Sequence, residues 1–313
     1  MSIPGPGPTT APTDPGRVIN PAASMDAPTL RVGDLGTMSS YYARAFALEP
    51  IEEATRGREV HRVLGRAGVP MVRLVSTPDL PVSDPRQAGL FHTAFLFPDA
   101  SALAATVHRA ALDPRSRFVG SSDHAVSEAF YFTDPEGNGV ELYTDRERSR
   151  WPRRDGQVEM TTTWLDPNAY LRDHLTQEAV DTPGASGVRV GHVHLQVGDL
   201  AAAEAFYVGA LGFEVTQRDY PGALFVSAGG YHHHLAMNTW NSRGAGPRAA
   251  SLGLGEVAIT VPGREDLDAL SARLRAARLP FEDSGTHIAV TDPWHTRLTV
   301  SLPGRSVEEV LDR

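Results

Sequence analysis

The chain repeats itself, and this repeat limits its possible folds more than any other feature. "LRVGDLGTMSSYYARAFALEP", starting at Leu30, and "LQVGDLAAAEAFYVGALGFEV", starting at Leu195, share one plan. Each reads as a strand, then Gly-Asp-Leu, then an amphipathic helix carrying an aromatic pair, then a second strand. Asp34 and Asp199 stand where a side chain can cap the helix or form the turn. A second repeat lies inside each half. "GLFHTAFLFPD" at 89–99 matches "GLGEVAITVPG" at 253–263, and each leads into a helix, "ASALAATVHRAAL" or "REDLDALSARLRAA". Each half closes on strand–turn–strand, "AFYFTDPEGNGVELYTD" or "HIAVTDPWHTRLTVSL". The chain thus divides into four units, each β-α-β-β-β, beginning near residues 27, 89, 190 and 253. A tandem duplication of this kind predicts an α+β protein of two domains.

The expected layout is a disordered tail over residues 1–25, a first domain over 26–146, a linker with a short helix near "DPNAYLRDHL" over 147–187, and a second domain over 188–313. The tail begins "MSIPGPGPTTAPTDPG", too rich in Pro, Gly and Thr to bury a core. It has neither the basic start nor the apolar stretch of a secretory signal, so the cytoplasm is the expected location. No apolar run is long enough to span a bilayer. A net charge of -9 argues against nucleic acid as a partner. The chain has no cysteine, so disulfides and thiolate metal sites are excluded. Any metal must be held by His, Asp, Glu or oxygen donors, which suits Fe(II), Mn(II) or Zn(II). The oligomeric state is left open, a homo-oligomer included.

The strings "GLFHTAFLFPD", "SDHAVSEAFYFTDPEGNGVELYTDR", "GHVHLQVGDL" and "SAGGYHHHLAMNTWNSRGAGP" resemble the vicinal oxygen chelate superfamily, which holds glyoxalases, bleomycin resistance proteins and dioxygenases. Within it they are similar to the catechol-2,3-dioxygenase-like, extradiol branch. The resemblance covers nearly everything after the tail. It implies that each pair of units forms a cup-shaped mixed sheet. In this superfamily two units line a metal cup, and the ligands sit on the first and last strands of each.

Carried onto this chain, the resemblance gives an uneven result. Unit 1 offers Ala27, which binds no metal. Unit 2 offers His92 on its first strand and Glu141 on its last. Unit 3 offers His192, and unit 4 offers Glu256 and Thr299. The complete set, His92, Glu141 and His192, draws on units 2 and 3, so these should share one cup and leave units 1 and 4 to build another. His194 competes with His192, since both point to one strand face; the offset to Val197 matches the family pattern for His192. Two imidazoles and one carboxylate leave positions open for substrate and O2, as non-haem Fe(II) enzymes require, and Mn(II) accepts the same set.

The resemblance also implies a histidine beside the metal that moves protons without binding it. The run His232-His233-His234 lies in the right place, and His233 aligns best. Read as strand, the run would turn His232 and His234 to the opposite face. Its plain alternative is a polar strand edge. Tyr131, ten residues before Glu141, and His124, in the preceding segment, match family positions near the substrate oxygens. His124 read alone is a loop cap. Asn238 and Trp240 follow the run as candidates for shaping the pocket. His61, His108, His174, His287 and His295 gain no support as ligands, and His295, at a turn position held by glycine or asparagine, reads as surface.

The implied function is an extradiol ring-cleaving dioxygenase that inserts O2 into a catechol-type substrate at Fe(II). Two other classes share the fold: a glyoxalase-like metal-dependent isomerase or thiol transferase, and a metal-free protein that sequesters an aromatic ligand.

Overall fold

The computed structural model describes residues 16–304. All four units fold as β-α-β-β-β. Unit 1 comprises Thr29–Val32, helix Leu35–Phe46, Glu49–Arg56, Glu59–Arg66 and Val69–Ser76. Unit 2 comprises Gly89–Phe97, helix Ala100–Leu112, Arg117–Asp123, Ser127–Thr133 and Gly139–Asp145. Unit 3 comprises Arg189–Gln196, helix Leu200–Glu204 running on as a π turn over Ala205–Ala210, then Glu214–Gln217, Ala223–Ser227 and Leu235–Asn238. Unit 4 comprises Gly253–Thr260, helix Arg264–Ala276, Phe281–Asp283, His287–Thr291 and Arg297–Ser301. Asp34 and Asp199 cap their helices, accepting from the backbone N–H of Thr37 and Ala202.

The sheets pair units across the two sequence halves. Units 2 and 3 supply eight strands of one nine-stranded sheet, joined where Gly89–Phe97 runs antiparallel to Arg189–Gln196. Units 1 and 4 form the other, joined where Thr29–Val32 meets Gly253–Thr260. Within every unit the last strand returns parallel to the first. Side chains alternate across these strands. Val193 and Leu195 therefore face the core, while His192 and His194 face the concave side.

Each sequence half is held together differently, by its helix and turn. The Tyr42 hydroxyl of unit 1 donates to Asp134 in the turn of unit 2 at 3.1 Å. Tyr207 of unit 3 donates to Asp292 in the turn of unit 4 at 2.9 Å. The aromatic pair that marks the repeat thus supplies one repeated contact between the two sheets. The main core is a continuous cluster shared by both sheets and the helices between them.

Two expected segments differ. Of the tail, residues 1–15 lie outside the described residues. Residues 16–25 are packed: Ile19, Ala23 and Met25 are buried, and Ser24–Met25 pairs with the Thr260 end of unit 4. Scattered apolar residues among the prolines suffice to anchor this stretch. The stretch expected as a linker contains the short helix, at Pro167–His174, but also builds a wall. Trp151, Val158 and Met160 pack against Ala223, Phe225 and Ala236, and Thr163–Trp164 adds a strand to the sheet of units 2 and 3. Among the described residues no helix is long and apolar enough to cross a membrane.

Candidate metal centre

Sheet register places the centre. Glu141 lies level with Ala94, and Ala94 lies level with His192. Three neighbouring strands thus form a row, Glu141–Ala94–His192, and Tyr131 extends it next to Glu141. Ala94 is the small member. Its methyl group leaves the space in which the carboxylate and the imidazole lean toward each other. His92, two residues before Ala94, comes to the same point on the same face.

The atoms converge closely. His92 Nε2 is 2.8 Å and His192 Nε2 is 3.1 Å from Glu141 Oε2, and the two nitrogens are 3.3 Å apart. All three residues are buried. Ligands bound at about 2.0–2.2 Å and at right angles would stand about 3 Å from each other. The triangle has these edges, so the residues fit a divalent metal and could hold one. Burial pushes the Glu141 carboxyl up, but the imidazoles of His192 and His92 pull it further down, and it ends well below the usual carboxylate range. Burial also lowers His192, to about 4, so it stands as a neutral imidazole with a lone pair to give. Its Nδ1 has no hydrogen-bond partner. The ring is held by packing, with Tyr143 at 5.0 Å and His233 at 4.0 Å between centroids.

A bulge aims His192. The register with Gly89–Phe97 shifts between Val190 and His192, which leaves Gly191 as the extra residue. A Cβ at Gly191 would stand 1.8 Å from the Tyr143 hydroxyl, so glycine is required there by contact. His194 goes elsewhere. Its Nε2 accepts from Asn238 Nδ2 at 3.0 Å, and its ring packs on Phe91 and Trp240.

The histidine run is not strand. Leu235–Asn238 is the strand, and the run is the irregular segment that enters it. The strand alternation expected for the run is therefore absent, since side chains alternate only along extended backbone, yet of the three rings only that of His233 lines the cavity. His233 lines the cavity over the triad. His232, fully buried, bridges it to a carboxylate: His232 Nε2 is 2.9 Å from Asp145 Oδ1, and its Nδ1 is 2.8 Å from His233 Nδ1. The Tyr231 hydroxyl donates to the other oxygen of Asp145 at 2.9 Å. His234 turns back and accepts from the Ala228 N–H at 3.1 Å.

These contacts fix tautomers. A carboxylate only accepts, so His232 carries a proton on Nε2, and as a neutral ring it would offer the Nδ1 lone pair. His233 then donates from Nδ1 and keeps the Nε2 lone pair free. Burial, followed by the neighbouring His192 and His232, holds His233 well below the usual imidazole value, hence neutral. Across the cavity, His124 Nδ1 donates to the Thr161 carbonyl at 2.6 Å, so its Nε2 accepts from the Tyr131 hydroxyl at 2.7 Å. Burial, then the charge of Glu141, pushes the Tyr131 phenol well above its ordinary value, so it is a donor.

The cavity encloses about 370 Å³, within the usual size range of small-molecule sites. Its walls are mostly apolar, from Phe91, Val126, Met160, Phe225 and Trp240. The structure thus brings His92, Glu141, His192, His233, Tyr131 and His124 to one cavity. Sequence reasoning missed Asp145 and His232. One signal was present: Glu141, Tyr143 and Asp145 are spaced by two along one strand and share its cup face. Met160 and Thr162 were also missed, because a cavity wall inside a linker leaves no pattern.

Known proteins bear on this geometry. The chain is 41% identical over 209 residues to a catechol-2,3-dioxygenase of Bacillus subtilis (strain 168), covering 66% of this chain and 72% of the relative. In fold it is similar to a putative dioxygenase from Bacillus subtilis subsp. subtilis str. 168, with a TM-score of 0.61 at 13% identity over 90% of this chain and 86% of that one. It is similar also to glyoxalase I from Zea mays, with a TM-score of 0.56 at 15% identity over 93% and 95%. Residues 24–142 and 189–299 match the profile of one superfamily, the two spans covering both halves of the repeat. The chain belongs to the Glyoxalase/Bleomycin resistance protein/Dioxygenase superfamily.

Proposed function

We propose that this protein is an extradiol ring-cleaving dioxygenase, with Fe(II) held by His92, Glu141 and His192 and a catechol-type diol as substrate. The observation that carries the reading is the facial His–His–Glu triangle at the floor of an apolar cavity, with a neutral histidine on one side and a His–Tyr pair on the other. The relative named catechol-2,3-dioxygenase supports it. Fe(II) suits the reaction; Mn(II) fits the same donors.

When bound, the metal would act as a Lewis acid on the diol oxygens and carry the electrons exchanged with O2. The protein supplies the rest. Phe91, Phe225 and Trp240 would clasp the ring and exclude water. His233 Nε2, the free lone pair, would take a proton from a substrate hydroxyl and return it at bond cleavage. Its Nδ1–H is held by His232, and His232 by Asp145, so the lone pair keeps its direction. Tyr131 would donate a hydrogen bond to a substrate oxygen, with His124 behind it as the proton's alternative acceptor.

The test is anaerobic loading with Fe(II) or Mn(II), followed by catechol and a measured pulse of O2. A yellow ring-opened product with one O2 consumed per catechol is expected. O2-independent conversion of a hemithioacetal, with catechol untouched, would replace this reading by an isomerase.

A further inference from the structure

The repeat produces a second cup, from units 1 and 4, and its chemistry differs from that of the metal centre. It encloses about 460 Å³. At the repeat positions that hold His92, Glu141 and His192 in units 2 and 3, units 4 and 1 carry Glu256, Thr299 and Ala27, and of these Glu256 lines the cup. Its lining carries more guanidinium than carboxylate groups: Arg31, Arg56, Arg62, Arg73 and Arg297 against Glu59, Glu256 and Glu282. Several are engaged. Arg297 reaches Glu282 at 2.7 Å and Glu256 at 3.6 Å, and Arg62 binds Glu53, outside the cup, at 2.7 Å. His61, 3.3 Å from Glu59, is lowered by burial and adds no charge near pH 7.

Arg73 is different. It lies level with Thr29 on the concave side and is 7% exposed. Its Nη2 approaches Asp26, outside the lining, at 3.4 Å, long for a charge-assisted bond. Its Nε and Nη1 have no hydrogen-bond partner. A buried guanidinium with unpaired N–H groups is costly, and native proteins keep such groups only with a reason. Both nitrogens are shut off from the cavity as the side chain stands, and a small turn of the guanidinium would bring them to an oxyanion delivered into the cup, which would supply the missing acceptors. The planar fork matches a carboxylate. Val63 and Val75 offer an apolar wall for an organic body, and the Glu256 carboxylate disfavours a second negative charge.

We propose that the cup of units 1 and 4 binds a small organic monocarboxylate through Arg73, separately from the metal centre. The test is calorimetric titration of the metal-loaded full chain with benzoate, with benzamide and inorganic phosphate as comparison probes. Benzoate should bind at least tenfold more tightly than either. Arg73→Met should weaken benzoate at least tenfold while metal content and turnover stay unchanged, and His92→Ala should leave benzoate binding in place. Should the methionine variant fail to fold, Arg73→Lys keeps stem and charge but loses the fork, and the same tenfold loss is expected. Benzoate binding that survives both Arg73 changes, that disappears in His92→Ala, or that phosphate or benzamide equals would overturn the proposal.

Discussion

Asp145 Oδ1 lies 2.9 Å from His232 Nε2, and through that contact a strand of unit 2 sets the proton on an imidazole of unit 3. Asp145→Asn keeps the size but supplies an amide N–H. His232 would then accept at Nε2 and carry its proton on Nδ1. His233 would have to accept at Nδ1 and carry its own proton on Nε2, the wrong state for a base. Turnover should fall roughly 10–100-fold, the loss usual for hydrogen-bond partners that orient histidines at a metal site. KM and metal content should hold. Steady-state kinetics beside metal analysis checks this, and an unchanged kcat would remove Asp145 from the mechanism.

His233→Gln should leave the metal bound, because the triad is complete without it. The expected loss is roughly 10²–10⁴-fold in kcat, the usual contribution of a general acid–base group. His232→Gln should also lower kcat, more than His234→Gln, since only His232 touches His233 through ring nitrogens. Loss of metal in the His233 variant would make it a ligand.

Gly191→Ala tests the bulge. Its methyl group would meet the Tyr143 hydroxyl, whose ring is buried and bonded to Tyr231 at 2.8 Å, so little can give way. Overpacking of this kind costs about 1–3 kcal/mol. Thermal unfolding should shift down, and metal affinity should drop with it, because His192 follows Gly191 directly. A variant with unchanged unfolding and full metal stoichiometry would show that the bulge does not position the ligand.

His295 has φ 64 at the turn position that glycine holds, with φ 86, at Gly137 in unit 2. The left-handed conformation costs a residue with a Cβ roughly 1–2 kcal/mol. His295 is exposed. His295→Gly should therefore stabilise the fold by about 1 kcal/mol without changing turnover, as read by denaturant unfolding.

Acid should destabilise the metal-free protein through its buried imidazoles. Burial first, then the nearby His232, lowers His234 to about 3, and burial lowers His192 to about 4. Below about pH 6.5 the unfolded chain binds protons that the folded chain refuses, so stability rises with pH in this window. It should fall as pH drops from about 6.5 toward 3. His234→Gln should flatten that slope, measured by urea midpoints across pH; an unaltered slope would show that His234 does not cause it.

The sequence by itself determined the four units, their order of elements and the chemistry of the donors, because period-two and period-3.6 patterns and turn residues are local signals. Through the family resemblance it also implied which units share a cup, since only units 2 and 3 together offer a complete candidate ligand set. The tertiary structure decided what spacing cannot encode. Between His192 and His194, two positions on one strand face, a bulge at Gly191 and the partner Asn238 made the difference, and both act across strands. The histidine run looked like alternating strand but is irregular, so contacts with Asp145 and Ala228, not periodicity, set where each ring goes. The wall from Met160 to Thr162 and the unpartnered guanidinium of Arg73 exist only once distant segments meet, because burial is a property of the packed chain and not of any stretch of it.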